Sequence, residues 1–226
     1  MHLLILAILL LALFAPGLWV QRVIARYAQP DDRYQHSGAE FARLLLDELD
    51  LTEVGVEQTK AGDHYDPTTK TVRLSPNHFG KRSLSAITIA AHEVGHAQQD
   101  YKSYAPFRFR TRLAKFAVAG QKIGNMMFLL LPVMLIITRI PNVGLLFLFA
   151  GIMSLGLSTL LHLITLPVEL DASFSRALPQ LESGHYLHDG DHPHARRLLK
   201  AAAYTYVAGS LMSVLNIWRW LRLGRF

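Results

Sequence analysis

Long apolar runs alternate with mixed polar segments along this chain. Residues 3–20 are almost all apolar, and a second apolar region, 123–164, is interrupted by the turn signal Pro141-Asn142. A helix needs about 20 apolar residues to cross a bilayer. We therefore expect a transmembrane anchor over 1–20 and a transmembrane helical hairpin over 123–164. A cleaved signal peptide is the alternative for the first run, but no positive region precedes it and no clear cleavage site follows.

The segment between these runs, 21–122, has the pattern of a small α+β domain. Residues 37–49 carry apolar side chains at helical spacing, whereas 51–58 and 71–74 alternate apolar and polar positions as strands do. The turn formers around Asp66-Pro67 precede the second of these strands. A short sheet is therefore predicted ahead of the next helix.

That next helix is predicted over about 83–99, where Ser83 or Ser85 can cap the first turn. Apolar residues cover most of its length, which indicates a helix buried inside the domain. After the hairpin, 165–200 is a helix followed by a His-rich loop. The last segment, 201–226, is an apolar helix that either spans the membrane or lies in its interface.

These patterns predict a mostly α membrane protein with a small α+β domain, a transmembrane anchor, a transmembrane hairpin and C-terminal helices. Composition agrees, because 51% of the 226 residues are hydrophobic and 18% are charged. The chain has no cysteine, so thiolate metal ligands and disulfides are excluded.

We attribute the formal net charge of +6 to the orientation of the protein in a membrane. Nucleic-acid binding is the other common reason for a basic chain, but no nucleic-acid-binding motif is present. Lys and Arg are frequent in 21–122, whereas the predicted hairpin turn carries only Arg139. The positive-inside rule then places 21–122 in the cytoplasm. We expect an integral protein of the bacterial cell membrane, in contact with the bilayer, with its site at the cytoplasmic face.

The chemistry is indicated by His92-Glu93-Val94-Gly95-His96, an H-E-x-x-H pattern on the predicted 83–99 helix. Residues four apart share a helix face, so His92 and His96 can bind one zinc ion. Glu93 is placed to act as general base toward a zinc-bound water. One Zn²⁺ per chain is predicted.

A catalytic zinc takes three protein ligands. In the extended pattern H-E-x-x-H-x-x-G-x-x-H a third histidine follows closely, but this chain has Gln99 at the glycine position and Lys102 at the histidine position, so the third ligand must come from elsewhere. Glu169, just after the hairpin, returns to the same side as the metal helix and is the preferred candidate. Asp171 is the competing candidate, on a different helix face.

The chain resembles the YugP-like membrane-bound neutral zinc metallopeptidases, and more distantly the HtpX-like membrane proteases, over nearly its whole length. The matching blocks are 63–67, 72–75, 91–99, 166–173 and 201–206. The resemblance implies a gluzincin-type site with His92, His96 and Glu169 on zinc and Glu93 as base. In the HtpX-like proteins an Asp supports the third-ligand block, and this chain has Ser173 at that position.

Further roles are open at this level. Arg176, Tyr204 and Tyr206 are candidates to stabilise the oxyanion, while Ser173 and Asp171 are candidates to support the metal ligands. The predicted strand Thr71, Val72, Arg73 and Leu74 could present an edge to an extended peptide substrate. A surface loop is the favoured interpretation of a His-rich segment, with a second metal site as the alternative. Its residues are His185, His188, His192 and His194, beside Asp189 and Asp191.

The sequence therefore predicts a membrane-bound zinc metallopeptidase, expected to be an endopeptidase acting on peptides or membrane proteins. The alternative is a non-catalytic zinc-binding membrane scaffold or adaptor. Glu93 argues against the alternative, because a structural zinc site has no use for a base and closes its fourth position. The oligomeric state and the substrate are not specified by any pattern in the chain.

Overall fold

The computed structural model of the protein describes residues 2–138, 149, 161 and 164–205. The chain divides into two compact units. One contains Ala15–Arg108 and Leu166–Thr205, and the other contains Met1–Phe14, Phe109–Thr165 and Tyr206–Phe226. All of the predicted site residues except Tyr206 lie in the first of these units, so the domain that carries the site joins two separate stretches of sequence.

The described elements are mostly helical, with one small sheet. In chain order they are α1 (His2–Arg26), α2 (Gly38–Glu48), β1 (Gly55–Gln58), β2 (His64–Asp66), β3 (Thr71–Leu74), α3 (Pro76–Phe79), α4 (Leu84–Tyr101), α5 (Ala105–Thr138), a π-helix (Asp171–Ala177) and α6 (Leu178–Ser183). Residues 164–170 are helical and lead directly into the π-helix, and 192–205 form a further helix.

Helix α2 begins where the sequence predicts it, because local hydrogen bonds stop the chain there. Ser37 is the N-cap, and it forms a capping box with Glu40 in which each side chain accepts from the other residue's backbone N–H. Phe41, Leu45 and Leu46 share one face and are buried in the core of the site-bearing unit. This face packs against α4 and holds it in place.

The sheet has the strand order β1-β3-β2. β1 pairs with β3 in parallel, with Gly55 opposite Thr71, and β2 pairs with β3 in antiparallel, with His64 opposite Arg73. β3 is therefore the central strand, and both of its edges are hydrogen-bonded. The prediction that Thr71, Val72, Arg73 and Leu74 form a substrate edge is wrong, because alternation identifies a strand but not its neighbours. The edge strand that contacts α4 is β2.

Helix α4 confirms the helix that the sequence predicts over about 83–99. Ser83 is its N-cap and accepts a hydrogen bond from the backbone N–H of Ala86 at 3.2 Å. Every residue from Leu84 to Gln99 is buried. A helix of this kind is surrounded by protein on all sides, so its two histidines are held in a site with little access to water.

The structure corrects the prediction of transmembrane elements. Among the residues that the structure describes, none of the helices has the length and apolar character required to cross a bilayer. The anchor over 1–20 and the first hairpin arm are therefore wrong as membrane spans. Val20 and Val23 of α1 are apolar because they pack into the protein core. The part of α5 after its last basic residue, Lys122, contains fewer than the about 20 apolar residues that a span needs.

Two other predictions fall outside the described residues. One concerns the hairpin turn and nearly all of the second hairpin arm, 143–164. The other concerns the apolar C-terminal helix, most of which is 206–226. Residues 201–205 continue the helix that starts at 192, and Ala201, Ala202 and Ala203 are buried.

Candidate metal centre

Helix α4 places His92 and His96 one turn apart on the same face. Both side chains are almost completely buried, at 4% and 5% exposed, and their rings lie 4.8 Å apart in an edge-on arrangement. Side chains packed this tightly on a buried helix have little rotamer freedom. Their Nε2 atoms are therefore fixed in a common direction.

Glu169 lies opposite these two nitrogens. It is fully buried, and its Oε2 is 3.2 Å from the Nε2 of His92 and 3.2 Å from the Nε2 of His96. The three ligand atoms all lie within 4.8 Å of one another. In the described part of the chain this is the one such group of three His, Asp or Glu side chains. Burial by itself raises the pKa of the Glu169 carboxyl, whereas positive charge on the imidazoles of His96 and His92 lowers it well below its usual range.

The protonation of His92 is set by Ser173. The Ser173 Oγ donates its proton to the backbone carbonyl of Leu199 at 3.1 Å, and it lies 3.0 Å from the Nδ1 of His92. Because the hydroxyl proton is already committed, Ser173 accepts from His92, and the His92 Nδ1 carries the hydrogen. The Nε2 of His92 then presents a lone pair to Glu169.

The same holds for His96. Its Nδ1 lies 2.9 Å from the amide oxygen of Gln99, which can only accept a hydrogen bond. The Nε2 of His96 therefore also presents a lone pair toward the carboxylate of Glu169.

Three acceptor atoms thus converge in a buried site. Lone pairs held 3.2 Å from a carboxylate oxygen repel it unless a cation lies among them. Two ligand atoms at zinc's usual distance of about 2.1 Å are about 3.4 Å apart in tetrahedral geometry. Both measured nitrogen–oxygen separations are close to that value, so the donor set fits a zinc ion.

The π-helix brings the third ligand to the metal helix. Gly95 makes this approach possible, because a Cβ at that position would lie 2.8 Å from the backbone oxygen of Ala172. π-Helical turns are found often at functional sites. Here the π-helix begins two residues after Glu169 and places Ser173 against His92. The Gly in the H-E-x-x-H segment is therefore required by a tertiary contact.

Glu93 follows the first histidine and is 6% exposed. Burial raises the pKa of Glu93 to about 7, and the negative charges of Glu169 and Asp63 act in the same direction, while His92 opposes them. The backbone of Tyr65, in strand β2, lies close enough to this carboxyl to act in the opposite direction and lower its pKa. Glu93 is thus a buried carboxyl whose pKa is raised well above its ordinary value, and it lies beside the edge strand.

A hydrogen-bonded pair that the sequence did not point to lies nearby. The Nδ1 of His78 is 2.8 Å from Asp63, which also accepts a hydrogen bond from the backbone N–H of Ser75 at 2.7 Å. Burial acts to raise the pKa of Asp63, but the contact with His78 lowers it below its ordinary value. The pair fixes the connection between β2 and α3. Asp63 lies in block 63–67 of the family resemblance, but His78 is 15 residues further along the chain and no spacing rule links the two residues.

The other predicted site residues have different positions. Asp171 is not with the ligands: its Oδ2 accepts from the amide of Gln99 at 2.7 Å and from the Nε of Arg176 at 2.7 Å. Arg176 also donates to Gln98 at 3.2 Å. Its guanidinium is therefore engaged on the outer side of the ligand segment. Tyr204 is 36% exposed, with the Lys200 ammonium 5.8 Å from its ring centre. Tyr206 lies outside the described residues, and the oxyanion roles stay predictions.

The His-rich segment forms a docking contact within the site-bearing unit. Asp191 accepts two hydrogen bonds from Arg33, at 2.8 and 3.0 Å, and one from the hydroxyl of Tyr34. His188 stacks on Tyr34 with 4.6 Å between ring centres, and His194 contacts the hydroxyl of Tyr27 at 3.0 Å. These contacts tie the segment to the residues after α1.

With this geometry in place, comparison with known proteins is informative. Residues 2–225 match the family model described as "Putative neutral zinc metallopeptidase". The chain belongs to this family. It is also 36% identical over 200 residues to the "Putative membrane protease YugP" of Bacillus subtilis (strain 168), covering 88% of this chain and 85% of that protein. No solved structure shows significant similarity to the chain. The resemblance expected from the sequence blocks is confirmed.

Proposed function

We propose that this protein is a zinc endopeptidase in which His92, His96 and Glu169 hold one zinc ion and Glu93 is the general base. The observation that carries the proposal is the convergence of two imidazole lone pairs on a buried carboxylate, 3.2 Å from each. A base placed beside that site suits hydrolysis more than a structural role, because structural zinc sites are closed by a fourth protein ligand.

The residues would divide the reaction as follows. Zinc bound at this position would lower the pKa of a bound water to about 7 and polarise the scissile carbonyl. Glu93 takes a proton from the attacking water and later delivers it to the leaving amine nitrogen, so that the peptide bond is replaced by a carboxylate and a free amine. Ser173 holds His92 in the tautomer that keeps its Nε2 available.

Strand β2 is the proposed docking edge for the substrate. Among the described residues it pairs only with β3, it contacts α4, and the backbone of its residue Tyr65 lies close to the carboxyl of Glu93. An extended peptide that adds to this edge would pass the base with chain on both sides of the scissile bond. This arrangement favours internal bonds and therefore supports endopeptidase activity.

A membrane setting is part of the proposal. It is supported by the name of the Bacillus relative, a membrane protease, and it directs attention to peptides and membrane proteins as substrates. Location at the cytoplasmic face stays a prediction from the distribution of Lys and Arg.

The proposal is tested with Glu93→Gln, which keeps the shape of the side chain and removes the base. We expect one zinc per chain in both the wild type and the variant, and hydrolysis of an unstructured protein such as casein by the wild type alone. Glu53→Gln, at an exposed position, is the matched control and should be fully active. Zinc binding without any hydrolysis by the wild type would favour the scaffold function, and activity in Glu93→Gln would remove Glu93 from the mechanism.

A further inference from the structure

Gln99 is a fully buried amide whose orientation is fixed by its neighbours. Its Nε2 donates one hydrogen bond to the backbone carbonyl of Val168 at 2.8 Å and one to the carboxylate of Asp171 at 2.7 Å. Both of these partners are acceptors. The amide therefore cannot be flipped without placing its oxygen against two other oxygens.

With the amide nitrogen committed, the Oε1 of Gln99 has one direction left. It faces the Nδ1 of His96 at 2.9 Å. An amide oxygen only accepts, so the proton of a neutral His96 must be on Nδ1 and the lone pair on Nε2. The chemical state of His96 thus follows from the two acceptors on the far side of Gln99.

The same side chain also joins the two parts of the site. His96 and Gln99 are one turn apart on α4, whereas Val168 immediately precedes Glu169. By bonding the Val168 carbonyl, Gln99 holds the backbone beside the third ligand at a fixed distance from the second. A shift of the Val168–Glu169 segment along α4 would move Glu169 away from the histidines.

Asp171 adds a charge to this arrangement. Its carboxylate polarises the amide of Gln99 and is itself paired with Arg176 at 2.7 Å. In many metal sites a carboxylate bonds the ligating histidine directly. Here the amide of Gln99 lies between the carboxylate of Asp171 and the imidazole of His96.

We propose that Gln99 is the positioning residue of this centre: it selects the tautomer of His96 and locks the Glu169 segment against α4. The inference rests on the proposed zinc site but does not depend on peptide hydrolysis. It assigns a function to a residue that stands where the extended H-E-x-x-H-x-x-G-x-x-H pattern of other zinc peptidases has its glycine.

The test compares Gln99→Met with Gln98→Met in the full chain. Met has nearly the volume of Gln but no amide, and Gln98 is an adjacent residue whose amide oxygen contacts only Arg176 among the described hydrogen bonds. Two quantities are measured. One is the His96 tautomer in zinc-free protein above neutral pH, from two-bond proton–nitrogen NMR correlations. The other is the zinc dissociation constant, by competition with a chelator.

In the wild type and in Gln98→Met we expect the Nδ1–H tautomer of His96. In Gln99→Met we expect a mixture that includes Nε2–H, together with a zinc affinity that is lower by roughly 10- to 100-fold. An unchanged tautomer and an unchanged zinc affinity in Gln99→Met would overturn the proposal.

Gln99→Glu keeps the proposal testable if the Met variant does not fold. A protonated glutamate has the shape of glutamine, can donate to Asp171 or Val168, and still offers an oxygen to His96, so it should retain the Nδ1–H tautomer. A switch to Nε2–H in this variant would refute the assignment. Failure of the proposed function would look different. The wild type would then bind zinc without hydrolysing peptides, and Gln99→Met would still differ from it in His96 tautomer and zinc affinity.

Discussion

Substitution of Gly95 by alanine tests whether the π-helix and the metal helix are in the close contact described above. The new Cβ would lie 2.8 Å from the backbone oxygen of Ala172, about 0.6 Å inside an ordinary contact. Both atoms belong to buried backbone, so no flexible side chain can give way. We expect α4 and the π-helix to separate by about half an ångström, a shift larger than the ±0.2 Å that metal sites tolerate.

Two opposing terms decide the effect on stability. Overpacking of a core costs about 1–3 kcal/mol. Replacing glycine by alanine inside a helix stabilises it by about 1 kcal/mol. The free energy of unfolding of zinc-free protein should therefore fall by about 0–2 kcal/mol, whereas zinc affinity should fall roughly tenfold or more because the ligands sit on the two separated elements.

The assay pairs urea unfolding of the zinc-free protein with zinc competition against a chelator. Gly80→Ala is the matched control, since a Cβ there meets nothing within 4 Å. It should leave zinc affinity unchanged. If Gly95→Ala were more stable than the wild type by the full helix-propensity gain and bound zinc equally well, the close contact and the reasoning built on it would be refuted.

Three other variants give independent checks. Glu169→Ala should lose most of its bound zinc by elemental analysis, and near-stoichiometric zinc in this variant would contradict its role as third ligand. Ser173→Ala should weaken zinc binding by about tenfold, whereas Ser175→Ala, at an exposed position on the same π-helix, should not. Asp66 is partly buried but bonded to Arg73, Thr68 and Thr69, so its pKa is lowered to about 2. Its folded pKa lies below the unfolded value, so the stabilisation is present above about pH 4 and lost as the pH falls toward 2. Asp66→Asn should therefore be less stable than the wild type by about 1–2 kcal/mol at pH 6, with melting temperatures that converge in that acid range; a constant difference would contradict the assignment.

Local signals were sufficient for several elements because they act between residues close in sequence. Ser37 and Glu40 form a capping box, and Ser83 caps the metal helix, so both helices begin where the sequence predicts. The spacing of His92 and His96 places them on one face of any helix. These features require no knowledge of the rest of the fold.

Apolar runs proved a weaker guide. The end of α1 is apolar because Val20 and Val23 pack against other parts of the same chain. Hydropathy records that a side chain avoids water, and it does not record whether protein or lipid replaces the water. Alternation in 71–74 likewise identified a strand, but its central position in the sheet depends on partners distant in sequence.

The sequence by itself determined the helix that carries His92, Glu93 and His96, the shared face of the two histidines, and the family. Tertiary structure decided the rest of the centre. Glu169 and Asp171 were both candidates for the third ligand, and only the packing of the π-helix on Gly95 directs Glu169 to the histidines and Asp171 to Gln99. Gln99 and Ser173 orient the two histidines through contacts with Val168 and Leu199. The physical reason is range: helix periodicity and capping arise within a few residues, whereas the contacts that place Glu169 and orient Gln99 and Ser173 join residues 26 to 81 positions apart.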